Sequence, residues 1–518
     1  MASKTLFQSI VGRLFPRADT RNQAGGPAYS LSGEQALAQY ATTGCLNATY
    51  YADAREQLAQ VLVLCEKVRP EFIARVAVHA REKGGMKDMP ALLAAVLAVK
   101  APVLLARIFP RVVDTPRMLR NFVQIVRSGA AGRKSLGSLP KRLVREWLSA
   151  RSDEALFRAS VGQSPSLADI IKMVHPRPEN PARAALYGYL IGRGKSLDSL
   201  PALVQAYEGF KADRGPEVPD VPFEMLTALA LGRQHWASIA ERAPWQMTRM
   251  NLNTFARHGV FKGDPRLQEI VARRLRCPDA VRKARAFPYQ LLVAYRMADK
   301  AVPENVRYAL QDALEVAIDN VPEFAGQVHV CLDVSGSMRS PVTGARKGAT
   351  TRVQCVDVAA LVAAAIARQN PGTEILPFSD DVVPGRLNPR DSVLTQAALL
   401  ASLGGGGTNA GAPLALLNEL EMPGDLVVYV SDNQSWIDAG AGRGTATMKE
   451  WARFKARNPR AKLALIDIQP YATTQAPDRD DILNVGGFSD GVFDVLGAFA
   501  RGELGAAHWV EAIDKVEI

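Results

Sequence analysis

Near residue 326 the hydrophobic pattern of this 518-residue chain changes period. From about 31 to 320 the apolar residues recur at helical spacing. Leu58-Val61-Leu62-Leu64-Cys65, Met118-Phe122-Ile125-Val126 and Leu186-Leu190-Ile191 are examples. The runs last one to four turns and are cut by Gly, Pro or Ser, and strand-like alternation is nearly absent. Many short helices joined by short loops over nearly 300 residues predict an α-solenoid of stacked helix pairs, with repeats too degenerate to show a strict period. Residues 1–30 are polar, contain Gly25-Gly26-Pro27, and read as an extended arm. After 326 the pattern alternates between β-runs and helices. The predicted strands are Gln327–Val334, Glu374–Phe378, Asp425–Val430 and Ala461–Ile468. Helices are predicted over Val353–Gln369, 391–403, 411–421, Thr447–Ala456 and Gly491–Phe499. Such alternation implies a parallel sheet covered on both faces, with its ligand site at the carboxyl ends of the strands. The fold class is therefore α plus α/β, with domains over 31–325 and 326–518.

The charge divides at the same place. Residues 1–325 carry 46 basic and 30 acidic side chains, whereas 326–518 carry 17 and 22. A basic two-thirds points to a polyanionic partner. The basic residues cluster. Residues 101–150 hold ten against Asp114 and Glu146 alone. Arg133, Lys134, Lys141, Arg142 and Arg145 lie there, followed by Lys172, His175 and Arg177. A second cluster is Arg266, Arg273, Arg274, Arg276, Arg282, Lys283 and Arg285. On a solenoid, spaced basic residues can track a phosphate backbone; on solvated helix faces they merely snorkel over apolar neighbours. Five scattered Cys without a CxxC read as reduced thiols of a cytoplasmic protein. No signal peptide is read in the first 20 residues. The longest apolar stretch, Ala91–Phe109, is broken by Lys100, Pro102 and Arg107, so no membrane span is expected. No HExxH, paired Cys/His set or nucleophile elbow occurs in the helical part, and an enzyme is not expected.

The first predicted strand of the second part ends in Asp333-Val334-Ser335-Gly336-Ser337. The alternating oxygens can converge once the chain turns at Gly336, giving hard donors suited to Mg²⁺. Two further donors fall at strand or loop ends: Thr408 after the run Gly404–Gly407, and Asp432 after the strand ending at Val430. The glycine run is not a P-loop, since no GK[ST] follows it. The order DxSxS, Thr, Asp is similar to the metal-ion-dependent adhesion site of von Willebrand factor A domains, whose ion keeps a position open for an acidic group of a partner.

With the helical part in front, the whole chain resembles the TROVE-domain Ro ribonucleoproteins and their bacterial Ro-sixty-related orthologues. The likeness rests on Asn22-Gln-Ala-Gly25-Gly26, Thr49-Tyr50-Tyr51, Arg81-Glu-Lys-Gly84 with Pro90-Ala-Leu-Leu, and Lys283–Tyr289. In the second part it rests on Phe378–Pro384, Asp432–Trp436 and Gly486–Ser489 through Asp494-Val495. The resemblance implies HEAT-like helical repeats closing into a ring with the A domain. It implies a small structured Y-type RNA on the outer surface and a single-stranded 3′ end of misfolded or precursor RNA in the hole. It also implies an exoribonuclease partner such as polynucleotide phosphorylase, in RNA quality control and ribosomal RNA maturation, with the protein acting as a monomer. The family segment S-x-x-D-[LI]-[LI]-[RK]-x-x-H reads Ser166–His175 here, so Ser166, Lys172 and His175 resemble its RNA contacts, with Lys141, Arg142 and Arg145 on the helix before. The alternative is an adaptor whose A domain docks an acidic partner without RNA. The basic loop Ser340–Thr351 departs from the family pattern and could cover the ion site.

Overall fold

The computed structural model describes residues 17–43, 46–47, 51–194, 196–284, 288–319, 321–342, 353–385, 387–436, 444–469, 471–477, 479–487, 491–504 and 508–518. Residues 343–352, most of the loop expected over the ion site, lie outside this set. So do Thr49-Tyr50, residues 285–287 and Phe488-Ser489 of the family-like segments. The chain forms two compact units that do not follow the expected boundaries at 30 and 325. One comprises Arg69–Arg285 and Ala294–Ala313; the other comprises residues up to Val68, the 286–293 stretch and Leu314–Glu517.

The first unit is helical among its described residues. Its opening shows how the sequence builds it. In Pro116–Ser128 the buried residues are Met118, Leu119, Phe122, Val123 and Val126, one face of a 3.6-residue period. Thr115 caps the helix by accepting from the Met118 N–H, a proline begins it, and Gly129 ends it at φ 86°. Asp88–Lys100 differs: its residues from Met89 to Ala98 are all buried, because helices pack around it. Pro70–Glu82 packs on Asp88–Lys100 and on Pro102–Val112, and Asp88–Lys100 also packs on Pro116–Ser128. Ser138–Ser149 continues from Pro102–Val112, and Leu167–Val174 packs on both Pro116–Ser128 and Ser138–Ser149. These helices thus pack on others one to three places away in the sequence, the local contact pattern of stacked helical repeats.

The second unit is built on a five-stranded parallel sheet. In chain order, β1 (Thr20–Arg21) and β2 (Pro27–Ser30) form an amino-terminal hairpin. The sheet strands are β3 (Val328–Asp333), β4 (Glu374–Phe378), β5 (Leu426–Ser431), β6 (Lys462–Asp467) and β8 (Ile482–Gly486), in the order β4-β3-β5-β6-β8. β3, β5 and β8 are buried at every residue, as strands covered on both faces must be. The core on one face gathers Tyr429, Trp451, Phe454, Leu463 and Leu465.

Two parts of this unit were not read from the pattern. The strand β8 was missed because Ile482-Leu-Asn-Val-Gly486 is short and polar at its centre. The residues expected as an arm, where described, instead form the β1–β2 hairpin. β2 pairs antiparallel with the short β7 (Thr473–Thr474), Tyr29 opposite Thr474. The helix Gly33–Thr43 then packs on β8 and on His508–Asp514. Hydrogen bonding to β7 and burial of Ala36, Leu37 and Tyr40 explain why the described residues up to Val68 belong with the sheet.

Candidate functional site

The carboxyl edge of the sheet gathers polar groups that the strands bury. Asp333 ends β3 and is 0% exposed. The chain then turns so that the Ser335 N–H donates to Asp333 Oδ1 at 2.9 Å, and the Ser335 and Ser337 hydroxyls face each other at 3.3 Å. From the end of β5, the Ser431 hydroxyl donates to Asp333 Oδ2 at 2.5 Å. Asp432 follows, fixed by the Gln434 N–H at 3.2 Å. Thr408 is buried in the glycine-rich loop, and its carbonyl accepts from the Trp436 N–H at 3.1 Å and the Ser435 hydroxyl at 3.2 Å. The three loops are tied together: Gly336 N–H to Gly406 O at 3.0 Å, Gly405 N–H to Val334 O at 2.9 Å, and Arg339 to the carbonyls of Ala401 and Leu403 at 2.7 Å each.

Glycine is required in that loop. A Cβ on Gly404, at φ 73°, would meet Val334 at 2.2 Å. A Cβ on Gly406, at φ 91°, would meet the Asp380 carboxylate at 2.2 Å. Asp380 accepts from the Gly407 N–H at 3.0 Å and so positions the loop that carries Thr408.

The electrostatics call for a counter-charge. Burial pushes the Asp333 carboxyl above its ordinary range, against the pull of the Ser335 and Ser431 hydrogen bonds. Burial, and then the neighbouring Asp333, push Asp432 up to about 7. Among the described residues no lysine or arginine acts on either. Two buried carboxyls, two serine hydroxyls and a threonine hydroxyl form a hard-oxygen set that fits a hydrated divalent cation. All five residues of the DxSxS, Thr, Asp pattern are thus brought to one edge.

The residues that sequence reasoning missed hold this edge from outside. Asn22 Nδ2 donates to the Ser435 carbonyl at 2.6 Å, and the Gln23 N–H donates to Gln434 Oε1 at 2.8 Å. A Cβ on Gly26 would meet the Ser435 carbonyl at 2.1 Å. The N-x-x-G-G signature is therefore a clamp on the loop after β5. Asn22→Ala leaves the buried Ser435 carbonyl without that donor. We expect it to cost about 1–3 kcal/mol, read as a fall in the denaturant midpoint of the sheet unit.

The proposed RNA-contact residues fall into two groups. Arg133 turns inward: its guanidinium donates to the carbonyls of Ser135 at 2.8 Å and Ala98 at 3.3 Å, and it packs under Gly137. The Ser166 hydroxyl donates to Asp169 at 2.7 Å and accepts from the Asp169 N–H, capping Leu167–Val174. These two are occupied in structure. Lys134, Arg142, Arg145, Lys172 and His175 are exposed and Lys141 half-buried. Arg145 donates to the Val174 carbonyl at 2.5 Å, which brings Ser138–Ser149 beside the carboxyl end of Leu167–Val174 and sets Arg145 next to His175. Arg142 also lies 3.5 Å from Glu146 on its own helix, an exposed pair worth little.

Several known proteins are similar to this chain. Residues 327–500 match the family model of the Ro60 von Willebrand factor A domain. The chain is 26% identical to the "RNA-binding protein RO60" of Deinococcus radiodurans, over 93% of this chain and 96% of that one. It is 25% identical to the Caenorhabditis elegans protein of the same name, spanning 58% of this chain and about half (48%) of the worm protein. In fold it is similar to the crystal structure of the Deinococcus radiodurans RO (RSR) protein, with a TM-score of 0.63 and 23% identity, covering 91% of this chain and 100% of that one. Through an A domain that matches the Ro60 model over residues 327–500, and a likeness that runs along nearly its whole length, this chain is similar to the Ro proteins.

Proposed function

We propose that this chain binds RNA through its helical unit and carries a divalent cation, Mg²⁺ by its donor set, in its A domain. The observation that supports RNA binding most directly is the exposed basic patch where Ser138–Ser149 meets the end of Leu167–Val174. There Arg142, Arg145, Lys172 and His175 stand together. Relatives over most of this length are named RNA-binding proteins. Lysine and arginine would contact phosphates, and His175 would hydrogen-bond or stack on an exposed base. A small structured, Y-like RNA suits such a surface, because phosphate contacts select shape rather than sequence. A single-stranded 3′ end of a misfolded or precursor RNA would bind elsewhere on the basic helical unit. An exoribonuclease such as polynucleotide phosphorylase would then act on the bound RNA, with this protein as a monomeric, cytoplasmic, non-enzymatic scaffold. Among the described residues no helix is long and apolar enough to cross a membrane.

In the A domain Asp333, Ser335, Ser337 and Thr408 would hold the ion, with Asp432 reaching it through water. The ion supplies positive charge to an otherwise uncompensated acidic edge. Sequencing the RNA that copurifies with the protein tests the reading. Structured noncoding RNA with single-stranded ends is expected. Recovery of no RNA, together with no binding to a tailed hairpin, would favour an adaptor that works through its A domain alone.

A further inference from the structure

The last residue of β6 is an acid with no assigned role. Asp467 lies in register with Ser431 of β5, whose hydroxyl is already given to Asp333. Laterally paired residues of a parallel sheet point to the same face. Asp333, Ser431 and Asp467 therefore form a row across the carboxyl edge. Asp467 is 1% exposed, and neither of its carboxylate oxygens has an aligned hydrogen-bond partner. The Asn433 side chain and the backbone amides of Gln469 and Tyr471 draw its carboxyl down but do not offset burial, which with the charge of Asp432 pushes it well above the usual range. The buried Tyr40 phenol feels the same carboxyl: burial, and then Asp467, push it up. A buried carboxyl whose neighbours do not offset its desolvation is costly and is retained where something compensates it.

We propose that Asp467 is a third carboxylate of the divalent-cation site, reaching the ion through its bound water. The inference rests on the ion reading given above and extends it. Among the described residues no three His, Cys, Asp or Glu side chains gather closely enough to share an ion directly, so Asp467 is assigned to the ion's hydration shell and not beside Asp333 as a second direct ligand. A hydrated Mg²⁺ held by one carboxylate and hydroxyls keeps several waters, and each presents hydrogens that need acceptors. Asp432 serves some of them. Asp467, beyond Ser431 in the same row, serves the next. Outer carboxylates of this kind orient the hydration shell and raise affinity. They also change the charge of the loaded site. Three carboxylates around one dication leave it net negative, so its ion is a resident that stabilises the edge rather than a charge offered to an acidic partner.

The test uses the full chain, stripped with a chelator, and Mg²⁺ and Mn²⁺ titrated by calorimetry alongside thermal melting. Asp467→Asn should weaken Mg²⁺ binding about 10–100-fold, the range seen when an outer partner of a metal site is lost. Wild-type affinity in a folded Asp467→Asn protein would overturn the proposal. Asp467→Ser carries the same test should the asparagine variant fail to fold. Asp333→Ala separates the two levels. Loss of binding there with wild-type binding in the Asp467 variant leaves the ion site standing and removes Asp467 from it. Unchanged binding in Asp333→Ala removes the ion site itself.

Discussion

Asp333→Ala is expected to eliminate the calorimetric signal of Mg²⁺ binding while leaving the sheet intact. The side chain is at the centre of the edge: it accepts from the Ser335 N–H and from the Ser431 hydroxyl, and it is the one direct carboxylate of the set. Its removal takes away the donor around which the serines are arranged, and an ion held by three hydroxyls alone has no charge to offset its own dehydration. The same residues predict opposite pH responses for the ion and the ion-free fold. Asp432 titrates near 7 in the folded chain and at an ordinary carboxylate value near 3.8 when unfolded. The neutral form is the one the ion-free fold favours. Its stabilising contribution is therefore complete below the unfolded value and is lost as pH rises through about 7. Binding of the cation needs the charged form, so Mg²⁺ affinity should fall as pH drops below 7, approaching about tenfold per pH unit for one displaced proton. Melting curves at pH 5 and pH 8, with and without Mg²⁺, check both signs at once. Mg²⁺ should stabilise strongly at pH 8 and weakly at pH 5. A pH-independent effect of Mg²⁺ would exclude these carboxyls as its ligands.

The sheet and its ion edge were legible because the rules that write them are local. Three of the four strands read from the pattern are runs of buried, mostly apolar residues that close on a polar one; Asp333 ends the first, Asp432 follows β5, and Thr408 closes the glycine run. Asp467 carried the same signal, a lone acid closing Leu463-Ala-Leu-Ile, but no family pattern directed attention to it. The amino-terminal hairpin was not legible, because its partner β7 lies more than 440 residues away and only a few residues pair. Asn22 and Gly26 stood out as a signature, yet their job, holding the Ser435 carbonyl, depends on that distant contact. The fates of Arg133 and Ser166 were illegible for the opposite reason. A basic residue in a glycine-rich turn and a serine before a helix look the same whether they face solvent or satisfy nearby backbone groups. Here Arg133 fills the carbonyls of Ser135 and Ala98, and Ser166 closes a capping box.

That sorting sharpens the RNA prediction. Charge reversal of Arg133 would unsettle the turn that carries Lys134, and removal of Arg145 would leave the buried Val174 carbonyl unpaired, so neither isolates RNA contact. Arg142 and Lys172 are exposed on adjoining helices, and His175 ends the second in a left-handed conformation (φ 49°) that holds its ring outward at an exposed corner. Arg142→Glu combined with Lys172→Glu should therefore lower affinity for a hairpin RNA about a hundredfold at moderate salt, taking each lost charge-assisted contact as about 1.5 kcal/mol or slightly more. Two phosphate contacts fewer should flatten the slope of log affinity against log salt by about 1.4–1.8, taking about 0.7–0.9 per contact between the single-strand and duplex values. His175→Ala should reduce affinity at all salts with less effect on that slope than the double variant, because stacking on a base displaces no phosphate counterion. A short unstructured strand should bind the three variants nearly as it binds the wild type, if the patch reads the structured body of the RNA. Fluorescence anisotropy with both RNAs over a range of salt separates these outcomes. A salt-independent wild type, or a double variant with unchanged slope, would mean that Arg142 and Lys172 are only solvated ends of amphipathic helices, and that the basic surplus of the first 325 residues is engaged elsewhere on the helical unit.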